Sequence, residues 1–176
     1  MENDIIDEEL SQIYEESDRS NVLDSSTFRT PAKNLKLRKP ITIEAGQTVQ
    51  EALTLMRLKQ FGCILVIRGH ALAGILTERD IVAKALGREN DMSKIFVEDV
   101  MTPEPVCFQP EDSIAFVMNS MHVGGYRHVP IVDEQNSPVA VISVRDIIGF
   151  IVEKFPEEIL NLPPKPMRTT TVLDGG

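Results

Sequence analysis

A duplication constrains this chain more than any other feature. Val49, Ala52, Leu53 and Met56 stand at i, i+3, i+4 and i+7, and Ile114, Val117, Met118 and Met121 repeat that spacing 65 residues later. Such spacing predicts a helix with one apolar face. Farther on, Ile64-Leu65-Val66 corresponds to Pro130-Ile131-Val132, and Ile75-Leu76-Thr77-Glu78-Arg79-Asp80 to Val141-Ile142-Ser143-Val144-Arg145-Asp146, both at an offset of 66. Ile81, Val82, Ala85 and Leu86 then match Ile147, Ile148, Ile151 and Val152. The change of offset predicts one extra residue in the second copy, near Val123-Gly124-Gly125.

Each copy reads strand, helix, strand, strand, helix. The first strand is Ile41–Ile43 in one copy and Val106–Phe108 in the other. Turn formers separate the paired strands at Arg68-Gly69-His70 and again from Asp133 to Pro138. A lone unit of this size would bury only ~60% of its unfolded surface. Two copies that share a core escape that limit. The expected fold is therefore α/β in the broad sense (α+β), with two β-α-β-β-α units over 33–97 and 98–157. An acidic, disordered tail over 1–32 precedes them, and a Pro-rich tail over 158–176 follows.

Charge supports that division. The chain of 176 residues carries a formal charge of −9. Residues 1–32 hold nine acids and two bases, so the acidity belongs mostly to the tail. Nucleic-acid binders need a basic face to replace phosphate counterions, and none is expected here. Two cysteines make no disulfide framework. No stretch approaches the ~18–20 apolar residues of a membrane span. The acidic start lacks the features of a signal peptide. The expectation is a cytoplasmic protein without membrane contact.

The chemistry concentrates at two matched positions. Thr77-x-x-Asp80 and Ser143-x-x-Asp146 place a hydroxyl three residues before a carboxylate at the start of an apolar helical run. The pattern is close to a capping box, so both can simply cap helices. The same atoms also suit a nucleotide. Helix-start N–H groups favour phosphate, the hydroxyl adds a donor, and a carboxylate can accept from a ribose diol. Arg127 offers a planar fork for phosphate oxygens, and His128 stands beside it. Arg79 and Arg145 fill the variable places of the two motifs, where they can touch phosphate, a partner chain or water. Catalysis finds little support. His70, His122 and His128 have no metal-ligand spacing, and no Gly-rich phosphate loop occurs. Asp99, Glu104, Glu111 and Asp112 read as a solvated face.

The duplicated unit, with Gly74-Ile-Leu-Thr-Glu-Arg-Asp80, Val97-Glu-Asp-Val-Met-Thr-Pro103 and Tyr126-Arg-His-Val-Pro-Ile-Val-Asp133, resembles a pair of cystathionine β-synthase (CBS) domains. The resemblance covers roughly residues 35–155. It implies two packed units of pseudo-twofold arrangement with two clefts, and a homodimer built through helices. It further implies an adenine nucleotide (AMP, ADP or ATP) as ligand, without a metal, and a regulatory rather than catalytic protein. In the family the Thr or Ser takes phosphate and the Asp takes ribose. Thr42, Val106, Val129 and Pro130 would line the adenine slot, and Tyr126 would stand beside the pocket of Ser143 and Asp146. The first copy departs from the pattern, with Phe61-Gly62-Cys63-Ile64 where the second has Arg127-His128-Val129-Pro130. Two unequal pockets follow. S-adenosylmethionine or NAD(H) as ligand, and an interaction protein with empty pockets, remain the alternatives. Apolar residues beside the helix stripes, including Leu55, Leu58, Ala115, Phe116 and Phe150, support dimerisation independently.

Overall fold

A computed structural model describes residues 25–87 and 91–156. The expectations for the acidic segment before residue 25 and for the Pro-rich residues 158–176 lie outside this range. The described elements run β1 (Thr42–Glu44), α1 (Val49–Lys59), β2 (Cys63–Arg68), β3 (Ala71–Thr77), α2 (Glu78–Asp80), β4 (Thr102–Pro103), α3 (Ile114–Gly124), β5 (His128–Val132), β6 (Pro138–Ser143) and α4 (Val144–Lys154), besides short helical turns. Of the described residues, those up to Ile148 form one compact unit that holds both copies up to the start of α4. Residues 149–156 belong to a second unit, in which the Lys154 ammonium lies 5.9 Å from the centre of the Phe150 ring.

Local signals fix the helices. Thr48 Oγ1 accepts from the Glu51 N–H at 3.3 Å, and the Thr48 N–H donates to Glu51 Oε2 at 2.7 Å. This reciprocal cap starts α1 and is worth about 1 kcal/mol. Ser113 caps α3 in the same way from one side. Each helix has 11 residues and stops at a left-handed residue, Gln60 (φ 55°) or Gly125 (φ 66°). The second copy thus keeps an offset of 65 through the whole helix and its cap.

The first sheet has four strands in the order β1-β2-β3-β4, with β1 parallel to β2 and the other pairs antiparallel. The second sheet pairs β5 with β6 antiparallel. Its counterpart of β1 shrinks to a parallel bridge between Phe108 and Ile131. Ile43 pairs with Val66 as Phe108 pairs with Ile131, so the offset is still 65 in β5. Leu72 opposite Ile67 matches Pro138 opposite Val132, and there the offset becomes 66. The extra residue therefore lies in the β5–β6 turn, not near Val123-Gly124-Gly125 as the sequence suggested. The residues in register with Arg127, His128, Val129 and Pro130 are then Gly62, Cys63, Ile64 and Leu65.

Burial follows the strand alternation. Ile64, Val66 and Leu76 join Val49, Ala52 and Met56 of α1 in the larger core of the first copy. On the other face, Cys63, Leu65 and Ile75 pack with Leu72 and with Val141 of the second copy. Both faces of β2 are thus covered, which explains its unbroken apolar run. The copies are also joined through the backbone. The Leu72 N–H donates to Asn136 O at 2.8 Å, and the Asn136 amide returns a bond to Leu72 O at 3.2 Å. Ahead of β1, the Ala32 N–H donates to Asp112 O at 2.7 Å, and the Ile114 N–H donates to Thr30 O at 2.9 Å. Ala32 is buried.

The last helices differ between the copies. Where the second copy has the 11 residues of α4, the first has the three residues of α2 followed by a π-helical stretch, Ile81–Ala85. Its C-cap Leu86 is extended, and Gly87 follows at φ 88°. The expectation of a full α-helix in the first copy is corrected accordingly.

Candidate functional site

Both hydroxyl–carboxylate motifs form complete caps. Thr77 Oγ1 donates to Asp80 Oδ2 at 2.6 Å, the Thr77 N–H reaches the same oxygen at 3.0 Å, and the Asp80 N–H returns to Thr77 Oγ1 at 3.2 Å. Ser143 and Asp146 repeat the arrangement at 2.6, 2.8 and 3.3 Å. Capping is therefore real at both sites, and any ligand role is added to it.

What separates them is the surroundings. A cavity of about 430 Å³ opens over the Thr77 end of β3 and α2, within the size range typical of small-molecule sites. Thr77, Glu78, Arg79 and Asp80 form one side. Thr102, Glu104, Pro105 and Val106 of β4 and the following chain form another. Tyr126, Arg127 and His128, which run from α3 into β5, complete the lining with Gly62, Ile75, Gly124 and Gly125.

Seven of the sequence-selected residues meet here: Thr77, Arg79, Asp80, Val106, Tyr126, Arg127 and His128. The sequence grouped Arg127 and His128 with Ser143 and Asp146, and the strands do pair His128 with Ser143, with the Val144 N–H donating to Arg127 O at 3.1 Å. The same two residues also line the cavity at the Thr77–Asp80 helix start, so the cavity is built by both copies. Ser143, Arg145 and Asp146 do not line it, nor do Val129, Pro130 and Thr42. Val129 and Pro130 are buried in β5, and Thr42 is exposed on β1. Sequence reasoning missed Glu78, Thr102 and Glu104 as lining residues. Glu104 had been assigned to a solvated face and is indeed exposed; its place after β4, with its N–H donating to Ala73 O at 3.2 Å, was not visible without the strand pairing.

Several contacts shape the lining. A Cβ on Gly124 would overlap the Tyr126 ring, so glycine there lets the ring lie back against the end of α3. The Tyr126 hydroxyl is hydrogen-bonded to that of Ser120. Glu78 Oε2 and His128 Cε1 lie 3.5 and 3.8 Å from where a Cβ of Gly62 would stand, on ordinary contact terms. Gly62 thereby sits between an acid and an imidazole.

The charges are mixed. Arg79 and Arg127 line the cavity together with Glu78, Asp80 and Glu104. Burial pushes the Asp80 carboxyl up, but hydrogen bonds from Lys84 and Thr77 outweigh it and hold Asp80 below its ordinary value. Desolvation and then the Arg127 charge depress His128, against a partial pull upward from Asp146 and Glu78. Burial, reinforced by Glu78 and Asp146, pushes the Cys63 thiol up to about 12, which leaves it inert as a nucleophile. Among the described residues, no group of three or more His, Cys, Asp or Glu could hold a metal ion. None of the described helices is long and apolar enough to cross a membrane.

Two copies of a mixed unit share a cavity at a capped helix start, the arrangement of a duplicated domain pair. The CBS domain model matches twice, over residues 32–87 and 97–153. The chain belongs to the CBS domain family. It is similar to the CBS domain-containing protein CBSCBSPB3 of Arabidopsis thaliana, 30% identical over 60% of this chain and 19% of that protein. It is also similar to YhcV of Bacillus subtilis, 34% identical over 60% of this chain and 74% of that one. The chain spans about a fifth of the length of the Arabidopsis proteins CBSCBSPB3 and CBSCBSPB2. Among solved structures, the CBS domain pair of protein MJ0100, in complex with 5′-methylthioadenosine and S-adenosyl-L-methionine, superposes with a TM-score of 0.64 at 25% identity, covering 71% of this chain and 98% of that one. The CBS-domain protein ATU1752 of Agrobacterium tumefaciens gives 0.62 at 27% identity, covering 68% and 98%.

Proposed function

We propose that this chain is a regulatory module that senses an adenine nucleotide of the AMP, ADP or ATP class in the cavity between its two copies. One observation carries the reading: a capped helix start bearing Thr77 and Asp80 faces Arg127 and His128 across a single cavity. A fixed cation beside helix N–H groups suits an anion and is not explained by capping. Asp80 supplies a ribose acceptor, while Val106, Ile75 and Tyr126 offer apolar surface to a base. A reading as an interaction protein with empty pockets leaves Arg127 without a purpose at this place. The module acts by binding; no arrangement at the cavity supplies a nucleophile with its base.

Glu78 and Glu104 favour a second reading. Two carboxylates in the cavity suit the ammonium of an adenosine carrying an amino acid, and the similar MJ0100 pair is in complex with S-adenosylmethionine. Thermal-shift titration separates the two. Millimolar AMP, ADP or ATP is expected to raise the melting temperature, and Arg127→Ala to weaken that response about tenfold or more. A shift with S-adenosylmethionine alone selects the second reading. No shift with any of them, nor with NADH, overturns the sensor function.

The working form is a homodimer in a reducing cytoplasm. Val82, Leu86, Phe116 and Val123 are exposed at 63, 57, 65 and 77%, more apolar surface than single scattered residues account for. The similar CBS-CP12 protein of bloom-forming cyanobacteria is hexameric, so larger assemblies are the other outcome of a mass measurement. Both cysteines are free, as a reducing compartment keeps them.

A further inference from the structure

We propose that Lys84 is an internal gate on the ribose-accepting carboxylate, and that it sets how tightly this cavity takes a diol. The inference rests on the nucleotide reading above. A carboxylate offers about four lone-pair positions, and those of Asp80 are full. Oδ2 accepts from the Thr77 N–H at 3.0 Å and from Thr77 Oγ1 at 2.6 Å. Oδ1 accepts from Lys84 Nζ at 2.6 Å and from Thr102 Oγ1 at 3.3 Å. An incoming diol finds no open acceptor on Asp80 until one donor leaves.

The donors are not equally free to do so. Both Thr77 bonds belong to the cap, so losing them loosens the helix start. Thr102 makes a long bond and holds only one lone pair. Lys84 holds the strongest position on Oδ1, yet its side chain is 41% exposed and its ammonium can be rehydrated at once. It also touches the main chain at Met101 O, 3.4 Å away, beside β4. Displacing Lys84 frees one position on Oδ1 and exchanges a charge-assisted bond for one from a ribose hydroxyl; the second hydroxyl competes with the long Thr102 bond on the same oxygen.

The second copy lacks this device. At an offset of 66 the residue matching Lys84 is Phe150. Among the described residues, Asp146 is bonded by Ser143, through Oδ2. The lysine belongs to the π-helical stretch Ile81–Ala85, which replaces the regular helix only in the first copy, and such stretches often mark functional positions.

Calorimetric titration of the full chain and of Lys84→Met, each with AMP and with 2′,3′-dideoxy-AMP, tests the gate. Methionine keeps the apolar stem and removes the charge; Lys84→Leu serves if the first variant melts early. The variant is expected to bind AMP about three- to tenfold more tightly, with dideoxy-AMP unchanged, and Lys84→Arg to behave like the parent. Equal or weaker AMP binding by the variant overturns the gate while leaving the nucleotide reading intact, as does an equal gain for both ligands. If neither protein binds AMP, the nucleotide reading falls and the gate with it.

Discussion

The Met101 thioether occupies the space that a β-carbon on Gly74 would need. Gly74 lies on β3 opposite Pro103 of β4, and the Met101 thioether folds over it. The second copy has Ala140 at the matching position, and there only a single antiparallel bridge, Arg38 to Val141, stands where Thr102 pairs with Ile75. The glycine leaves the Met101 thioether its place beside β3, where β4 pairs and leads into Thr102 and Glu104 at the cavity.

Gly74→Ala is expected to destabilise the protein by about 1–3 kcal/mol, the usual cost of overpacking a filled core. It should also weaken ligand binding, because the shift falls on β4. Ala140→Gly, its mirror, should leave binding unchanged. Denaturant melts and titrations of both variants check this; a neutral Gly74→Ala would show that Met101 moves aside freely.

Asp80→Ala and Asp146→Ala remove the same cap in the two copies. Both should lower stability by about 1 kcal/mol. Only Asp80 lines the cavity, so only Asp80→Ala should cost affinity, by about ten- to a hundredfold for a lost bond to a charged group. Equal affinities for the two variants would leave capping as the sole role of both residues.

His128 gives the module a pH response with a definite sign. Its folded value lies below the ordinary 6.5, so the unfolded chain binds the extra proton first. The contribution of neutral His128 is complete above about 6.5 and is lost as pH falls below it toward the lower folded value. The melting temperature should decline on acidification through that window, and His128→Gln should flatten the decline. An unchanged profile in the variant assigns the response to other groups.

A homodimer should survive loss of the acidic segment. Light scattering on a chain lacking residues 1–24 should give twice the chain mass, as should the intact protein of 19.7 kDa per chain. Phe116→Glu places a charge on the exposed apolar face and should give monomers. A monomer on truncation alone would put the interface in the tail.

The duplication made most of the fold legible. Helix spacing, the hairpins and both caps were readable because each rests on local chemistry that recurs 65 or 66 residues apart. The π-helical stretch was not, since Ile81, Val82, Ala85 and Leu86 carry the same apolar spacing as their regular counterparts. The position of the extra residue was misplaced because apolar strand residues tolerate a one-place slide in alignment, whereas hydrogen-bonded register does not. The site was half visible. Thr77, Asp80 and Arg127 announce their chemistry, and Arg127 lies beside the Ser143 helix start as read, but that it also lines the cavity at Thr77 depends on how the copies pack, and no local pattern encodes that.

The one additional residue in the β5–β6 turn has an effect out of proportion to its size. It lengthens the connection from the four residues 68–71 to the five residues 133–137, with Asn136 at φ 58° reaching the main chain of Leu72. The tight Gly69-His70 turn has no spare length to return the clasp. The extra length lets the second copy clasp the first by two hydrogen bonds at Leu72, a hold that runs from one copy to the other and fixes the order in which the two halves sit beside each other.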